Sequence, residues 1–194
     1  MFIRSERLFL RPGWPEDWTE LFTLIDDEAV VRGLSQAPWP YRADDARAFA
    51  ARVQDGQHPH FFVTRPGADG AELIGCVGLL GDDHADGDVA SVQPPLLGYW
   101  IARRHWGKGY ATEATQALLG LAATLGHRRI EARHFIDNLA SRRVLQKLGF
   151  RPTGEIRPGL SPARDDVVPT LCYALDLDPP RNCDDHLTPV PHAA

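Results

Sequence analysis

The feature that most constrains the fold is a change of period within residues 97–125, LGYWIARRHWGKGYATEATQALLGLAATL. Leu97, Tyr99 and Ile101 alternate with Gly98 and Trp100, the two-residue period of a strand in a β-favouring composition. Ala111, Ala114, Leu118, Leu121, Ala122 and Leu125 then recur at three- and four-residue steps, an apolar helical stripe that Gly126 closes. Between the two, Arg103, Arg104, His105, Trp106, Gly107, Lys108 and Gly109 break both patterns. Such a chain is of the α/β class: a buried strand runs through a cationic glycine loop into an amphipathic helix.

That loop has a physical use. Gly107 and Gly109 can adopt positive φ and carry no Cβ to keep a ligand from the backbone. The amides that open a helix lack intrahelical partners and lie at the positive end of its dipole. With Arg103, Arg104 and Lys108 beside them, the expected guest is a phosphate or diphosphate. The plainer alternative is a strand-to-helix turn whose basic residues are solvated. Neither the Walker spacing nor the third glycine of the dinucleotide fingerprint is present.

Arg104-x-x-Gly107-x-Gly109, continued by Tyr110, Ala111, Thr112 and Glu113, resembles the acyl-CoA loop of the GNAT superfamily of N-acyltransferases. A second block, Asn138, Ser141, Leu145, Lys147, Leu148, Gly149 and Phe150, is similar to the NxxS…KLGF order of the RimJ/RimL-type branch. The opening SERLFLRPGWPEDWTEL is similar to that branch's first strand and helix, so the resemblance covers residues 3–177.

The resemblance implies a mixed α/β fold: a bent, mostly antiparallel sheet with helices on both faces and a splayed central strand pair that receives acetyl-CoA. It implies cofactor contacts from Trp100, Ile101, Arg103, Arg104, Trp106, Gly107, Lys108, Gly109, Tyr110, Ala111, Asn138, Ser141 and Lys147. Within these, Asn138 would hydrogen-bond the pantetheine arm and Ser141 would lie near the thioester sulfur. The early helices and the loop between them would wall the substrate side, which makes Trp39 and Tyr41 candidates for substrate contact. Read without the resemblance, Asn138 is complete as a helix N-cap, Ser141 as a solvated first-turn residue and the two aromatic rings as plugs at the core edge.

Two departures shape the expected chemistry. Many relatives carry Glu two residues before the strand glycine, as a base, and Tyr seven residues after the Asn, as a proton donor; here these positions hold Leu96 and Leu145. Ser141 is then the expected proton donor, and the proton acceptor is sought in His134 or an aspartate of residues 82–88. The expected activity is direct acetyl transfer, in a ternary complex, to a primary amine, foremost the α-amino group of a protein or peptide N-terminus. A polyamine or aminoglycoside acceptor, or a non-catalytic acyl-CoA-binding module, stands as the alternative.

The 194 residues suffice for one domain, expected over 1–177, with the proline-bearing and aperiodic residues 178–194 as a flexible tail. Twenty-six acidic against 21 basic residues, a net charge of −5, disfavour a nucleic-acid surface and mildly favour a cationic substrate. Residues 81–95, GDDHADGDVASVQPP, carry charge able to attract an ammonium group, and His84 is a candidate substrate contact. No second histidine accompanies His84 at ligand spacing, so no metal is expected. Cys76, Cys172 and Cys183 do not form a disulfide or zinc framework. No apolar run is long enough to span a membrane and no signal-like region opens the chain, so a cytoplasmic protein without membrane partners, monomer or homodimer, is expected. Periodicity further predicts strands over 7–11, 61–65, 72–80, 130–135, 150–156 and 167–177, and helices over 15–25, 43–53 and 139–148.

Overall fold

The two periods fold into one eight-stranded sheet with helices on both faces. The computed structural model describes residues 1–68, 70–81 and 94–177. In chain order the elements are β1 (Ile3–Arg4), β2 (Phe9–Arg11), α1 (Trp18–Ile25), α2 (Glu28–Val31), α3 (Ala43–Ala50), β3 (His60–Gly67) and β4 (Gly70–Leu80). They continue as β5 (Leu96–Ile101), α4 (Tyr110–Thr124), β6 (Arg129–Phe135), α5 (Leu139–Lys147), β7 (Arg151–Ser161) and β8 (Asp166–Asp176). The strand order is β1-β2-β3-β4-β5-β6-β8-β7, and every pairing is antiparallel except β5 with β6.

Alternation along the strands feeds two cores. Leu97 and Ile101 of β5 face α4 and α5, and pack with Leu118, Ala122, Ile130 and Leu145. Trp100 and Ala102 face the other way, into the layer of α1, α2 and α3 with Leu21, Val31 and Ala46. On β4 the phase changes once. Val63 pairs with Gly75 but Thr64 with Leu73, so Ile74 is an extra residue, a bulge. It lets Leu73 and Cys76 share the α1–α3 face while Ile74 and Val77 share the other.

The approach to α1 is a 3-10 turn, Pro15–Asp17, rather than the helix expected from residue 15. Asp17 accepts the Trp14 amide and both Arg11 Nη atoms, each at 2.7 Å, in a nearly buried pair. α3 stops three residues short of the expected end, because no apolar face continues past Ala50 and Val53 lies exposed. β7 runs to Ser161 rather than 156. It is an edge strand, where Pro152 and Pro158 are tolerated because one row of backbone groups has no strand to pair with. The expected tail, 178–194, lies outside the described residues.

Candidate active site

Parallel pairing of β5 with β6 lasts for two residue pairs, Leu96 with Glu131 and Leu97 with Ala132, and then the strands part. The Glu131 amide donates to the Pro95 carbonyl at 3.0 Å, so alternate residues from Pro95 onward turn their backbone groups toward β6. In the opposite phase the Ala102 amide donates to Ile74 of β4 at 2.8 Å. Tyr99 and Ile101 therefore present backbone groups to the gap. The Ile101 carbonyl accepts the Trp106 indole N–H at 2.6 Å, which pins the loop to the strand end and leaves the Tyr99 groups and the Ile101 amide as a free edge.

A cleft of about 510 Å³ opens at this splay. Tyr99, Trp100, Ile101, Trp106, Gly107, Gly109, Tyr110 and Ala111 line it, with Asn138, Ser141, Arg143 and Lys147 across the gap and Arg32, Gly33, Asp137 and Arg164 beside them. Gly107 has φ 74° and Gly109, the N-cap of α4, has φ 82° with no side-chain cap. A Cβ on Gly107 would meet nothing within 4 Å, and one on Gly109 only the Arg7 guanidinium at 3.5 Å. The backbone angle, not crowding, thus requires glycine there. The acidic residue of the first helical turn, Glu113, is held aside by the Ser5 hydroxyl at 2.8 Å and by the Arg7 amide and Nε at 2.7 Å. Arg7 Nη1 also donates to the Lys108 carbonyl at 3.1 Å. The terminus is left with its amides and positive dipole end open to an anion.

Across the gap, Asn138 caps α5 through a hydrogen bond from the Ser141 amide to its Oδ1 at 3.1 Å. Its Nδ2 faces the segment after α2, where a Cβ on Gly33 would sit 3.2 Å away. The Tyr99 hydroxyl donates to the Ser141 carbonyl at 3.3 Å, and burial pushes that phenol up to about 12. Leu145, at the position where many relatives carry tyrosine, is in the core.

Several expected residues go elsewhere. Arg104 donates to Glu72 at 3.1 Å, Lys108 to the Arg104 carbonyl at 3.0 Å, and Arg103 lies 3.7 Å from Asp27; none of the three lines the cleft. Cationic lining comes instead from Lys147 and from Arg143, four residues earlier on the same helical face. The sequence analysis did not single out Arg143; its four-residue spacing from Lys147 on a helix is the signal that could have found it. His105 lines the cleft from beneath the loop, edge-on to Tyr110 and 3.1 Å from Glu72, and burial lowers its basicity. Tyr41 is a core residue of the α1–α3 layer, its phenol pushed up to about 12 by burial and then by Asp45, and neither it nor Trp39 lines the cleft. His134 is buried with Nδ1 2.8 Å from the Phe135 carbonyl and its ring 5.3 Å from Tyr173, so it does not reach the cleft either. His84 and the aspartates of 82–88 lie outside the described residues. Among the described residues no group of three His, Cys, Asp or Glu could hold a metal, and no helix is long and apolar enough to cross a membrane.

A splayed strand pair feeding an uncapped helix terminus offers one elongated ligand both a free strand edge and an anion site. Residues 7–151 match the family model described as acetyltransferase (GNAT) domain. The chain is 30% identical over 161 residues to YoaA, an uncharacterized N-acetyltransferase of Bacillus subtilis (strain 168), covering 80% of this chain and 85% of that one. It belongs to the GNAT family of acetyltransferases, which take the acyl group from acetyl-CoA. The fold is also that of a GNAT-family acetyltransferase from Bacillus anthracis, with a TM-score of 0.73 at 24% identity over 91% of this chain and 98% of the other. RimL, a ribosomal L7/L12 α-N-protein acetyltransferase solved with coenzyme A, superposes with a TM-score of 0.70 at 20% identity over 92% and 99%.

Proposed function

We propose that the protein acetylates the α-amino group of a protein or peptide N-terminus, in the manner of the RimJ/RimL-type branch, in the cytoplasm. One observation carries this choice of acceptor. Asp137, the acidic side chain among the described lining residues, is paired with Arg164, whose hydrogen bond holds its carboxyl below the usual range. Among the described lining residues Asp137 is held by Arg164 and the His105 Nε2 by Glu72 and Arg104, and a cleft so lined favours an amine that arrives neutral. An α-amino group with pKa near ~7.8 is roughly a third neutral at pH 7.5, whereas a lysine ammonium near ~10.4 is about one part in a thousand neutral.

When bound, acetyl-CoA supplies an activated acyl group and a thiolate leaving group. The open amides of the 107–111 loop hold the diphosphate, and Arg143 and Lys147 neutralise further phosphate charge. The free edge at Tyr99 and Ile101 pairs with the amides of the pantetheine arm as an added strand would. Asn138 Nδ2 would steady the same arm, a free β5 amide would face the acyl oxygen, and the Ser141 hydroxyl would give its proton to the departing sulfur and be reprotonated by the proton that the amine nitrogen sheds.

The test is free-thiol release from acetyl-CoA in the presence of short peptides with free N-termini, polyamines or aminoglycosides. Release with peptides is expected. Release confined to polyamines or aminoglycosides would move the acceptor to that class.

A further inference from the structure

Arg164 reaches the cleft from a distant part of the chain. It ends the 3-10 turn Pro162–Arg164 between β7 and β8, and its guanidinium lies 4.8 Å from the Phe135 ring centroid. Its side chain is 13% exposed and all three nitrogens are engaged. Nη1 and Nη2 donate to the two Asp137 oxygens at 2.7 and 3.1 Å, while Nε and Nη2 donate to the Arg32 carbonyl at 3.1 and 3.0 Å. Asp137 immediately precedes the cap residue Asn138, and Arg32 follows α2. One side chain therefore fastens two segments that lie 27 and 132 residues from it in sequence. Those segments lie side by side, a Cβ on Gly33 falling 3.2 Å from Asn138 Nδ2, and both line the cleft.

We propose that Arg164 is a positioning residue of the transfer reaction: it fixes the wall after α2 against the Asn138 turn and so sets how the amine meets the acyl group. The proposal rests on acetyl transfer occurring in this cleft. Arginine suits the task because its planar fork satisfies a carboxylate and a carbonyl together, which a lysine ammonium cannot do in the same geometry. The glycine loop takes no part in this network, being held by Arg7 and Trp106. Loss of Arg164 should therefore misalign the reaction and spare the diphosphate site at the glycine loop. A displacement of 1 Å in such an arrangement can cost about a hundredfold in rate.

The test compares full-length wild type with Arg164→Ala, Arg164→Lys and Asp137→Asn, using whichever peptide or amine supports wild-type thiol release. Arg164→Ala should lower kcat about ten- to a hundredfold, leave acetyl-CoA affinity in calorimetry within about threefold, and speed hydrogen exchange in residues 28–34. Millimolar guanidinium should recover part of the lost kcat, and Arg164→Lys should fall between alanine and wild type. Asp137→Asn, which keeps the bonds to the Arg32 carbonyl, should show the same split at smaller size and serves if the alanine variant does not fold. Unchanged kcat with a lowered Tm, or loss of acetyl-CoA binding in step with turnover, would overturn the proposal. A wild type inactive on every amine would instead remove acetyl transfer, and unaltered exchange in 28–34 would still overturn the fastening role.

Discussion

At the cofactor end of the cleft, a single run of chain from β5 through the glycine loop into α4 supplies the free strand edge and the uncapped helix terminus. The other end is assembled from the wall after α2, the Asp137–Asn138 turn and Arg164, segments up to 132 residues apart. The first is held by backbone geometry, by Trp106 on the Ile101 carbonyl and by Arg7 on the Lys108 carbonyl and Glu113. The second is held by one buried-side guanidinium network. Backbone sites tolerate side-chain change and fail when φ is forbidden; side-chain networks fail when one member is removed.

The largest expected effect is therefore on the backbone site. Gly109→Val places a β-branched residue at φ 82°, and acetyl-CoA binding should fall by a hundredfold or more, roughly the effect of losing two or more charge-assisted hydrogen bonds. Calorimetry checks it, and wild-type affinity in the variant would mean that the diphosphate lies elsewhere. Ser141→Ala comes next. It should lower turnover about ten- to a hundredfold, the lower part of the general-acid range, with acetyl-CoA affinity within a few-fold. Unchanged turnover would reassign Ser141 to cofactor positioning.

A smaller effect separates the two helix layers. On the α3 side His60 is 5% exposed, accepts a hydrogen bond from Gln54 at 3.2 Å, and has its pKa lowered to about 4 by burial and then by Arg52. A histidine depressed in this way stabilises the fold fully above its unfolded value near 6.5, and that contribution is lost as pH falls toward 4. Thermal melts should be level above neutrality and decline through this window, by a loss on the order of 3 kcal/mol at its end. His60→Gln should flatten the decline, with a remainder from His105, which is depressed in the same direction. An unaltered slope would place the acid sensitivity elsewhere.

The same contrast explains what the sequence made legible. Residues 97–125 encode their own outcome: alternation, glycines and stripe are local, and β5, the loop and α4 follow from them. Asn138 was legible as a cap for the same reason. The basic loop residues misled because charge in a sequence carries no direction; Glu72 and Asp27, far away in the chain, draw Arg104 and Arg103 off the cleft. Tyr41 and His134 misled because a large polar-tipped side chain serves equally in a core. Arg164 gave no signal at all, since nothing local announces that residue 164 meets residues 32 and 137. β7 was underestimated because proline and glycine read as breakers until its place at the sheet edge is known.

With Asp137 held by Arg164 among the described lining residues, the proposed acceptor is an amine that arrives uncharged. This is tested most directly by incubating the enzyme and acetyl-CoA with one peptide that carries a free α-amino group and a lysine, and locating the acetyl group by mass spectrometry at several pH values. Acetylation is expected at the α-amino group, with a rate that rises with pH through its titration near ~7.8. Predominant acetylation of the lysine ε-amino group, or a rate indifferent to pH across that range, would contradict it.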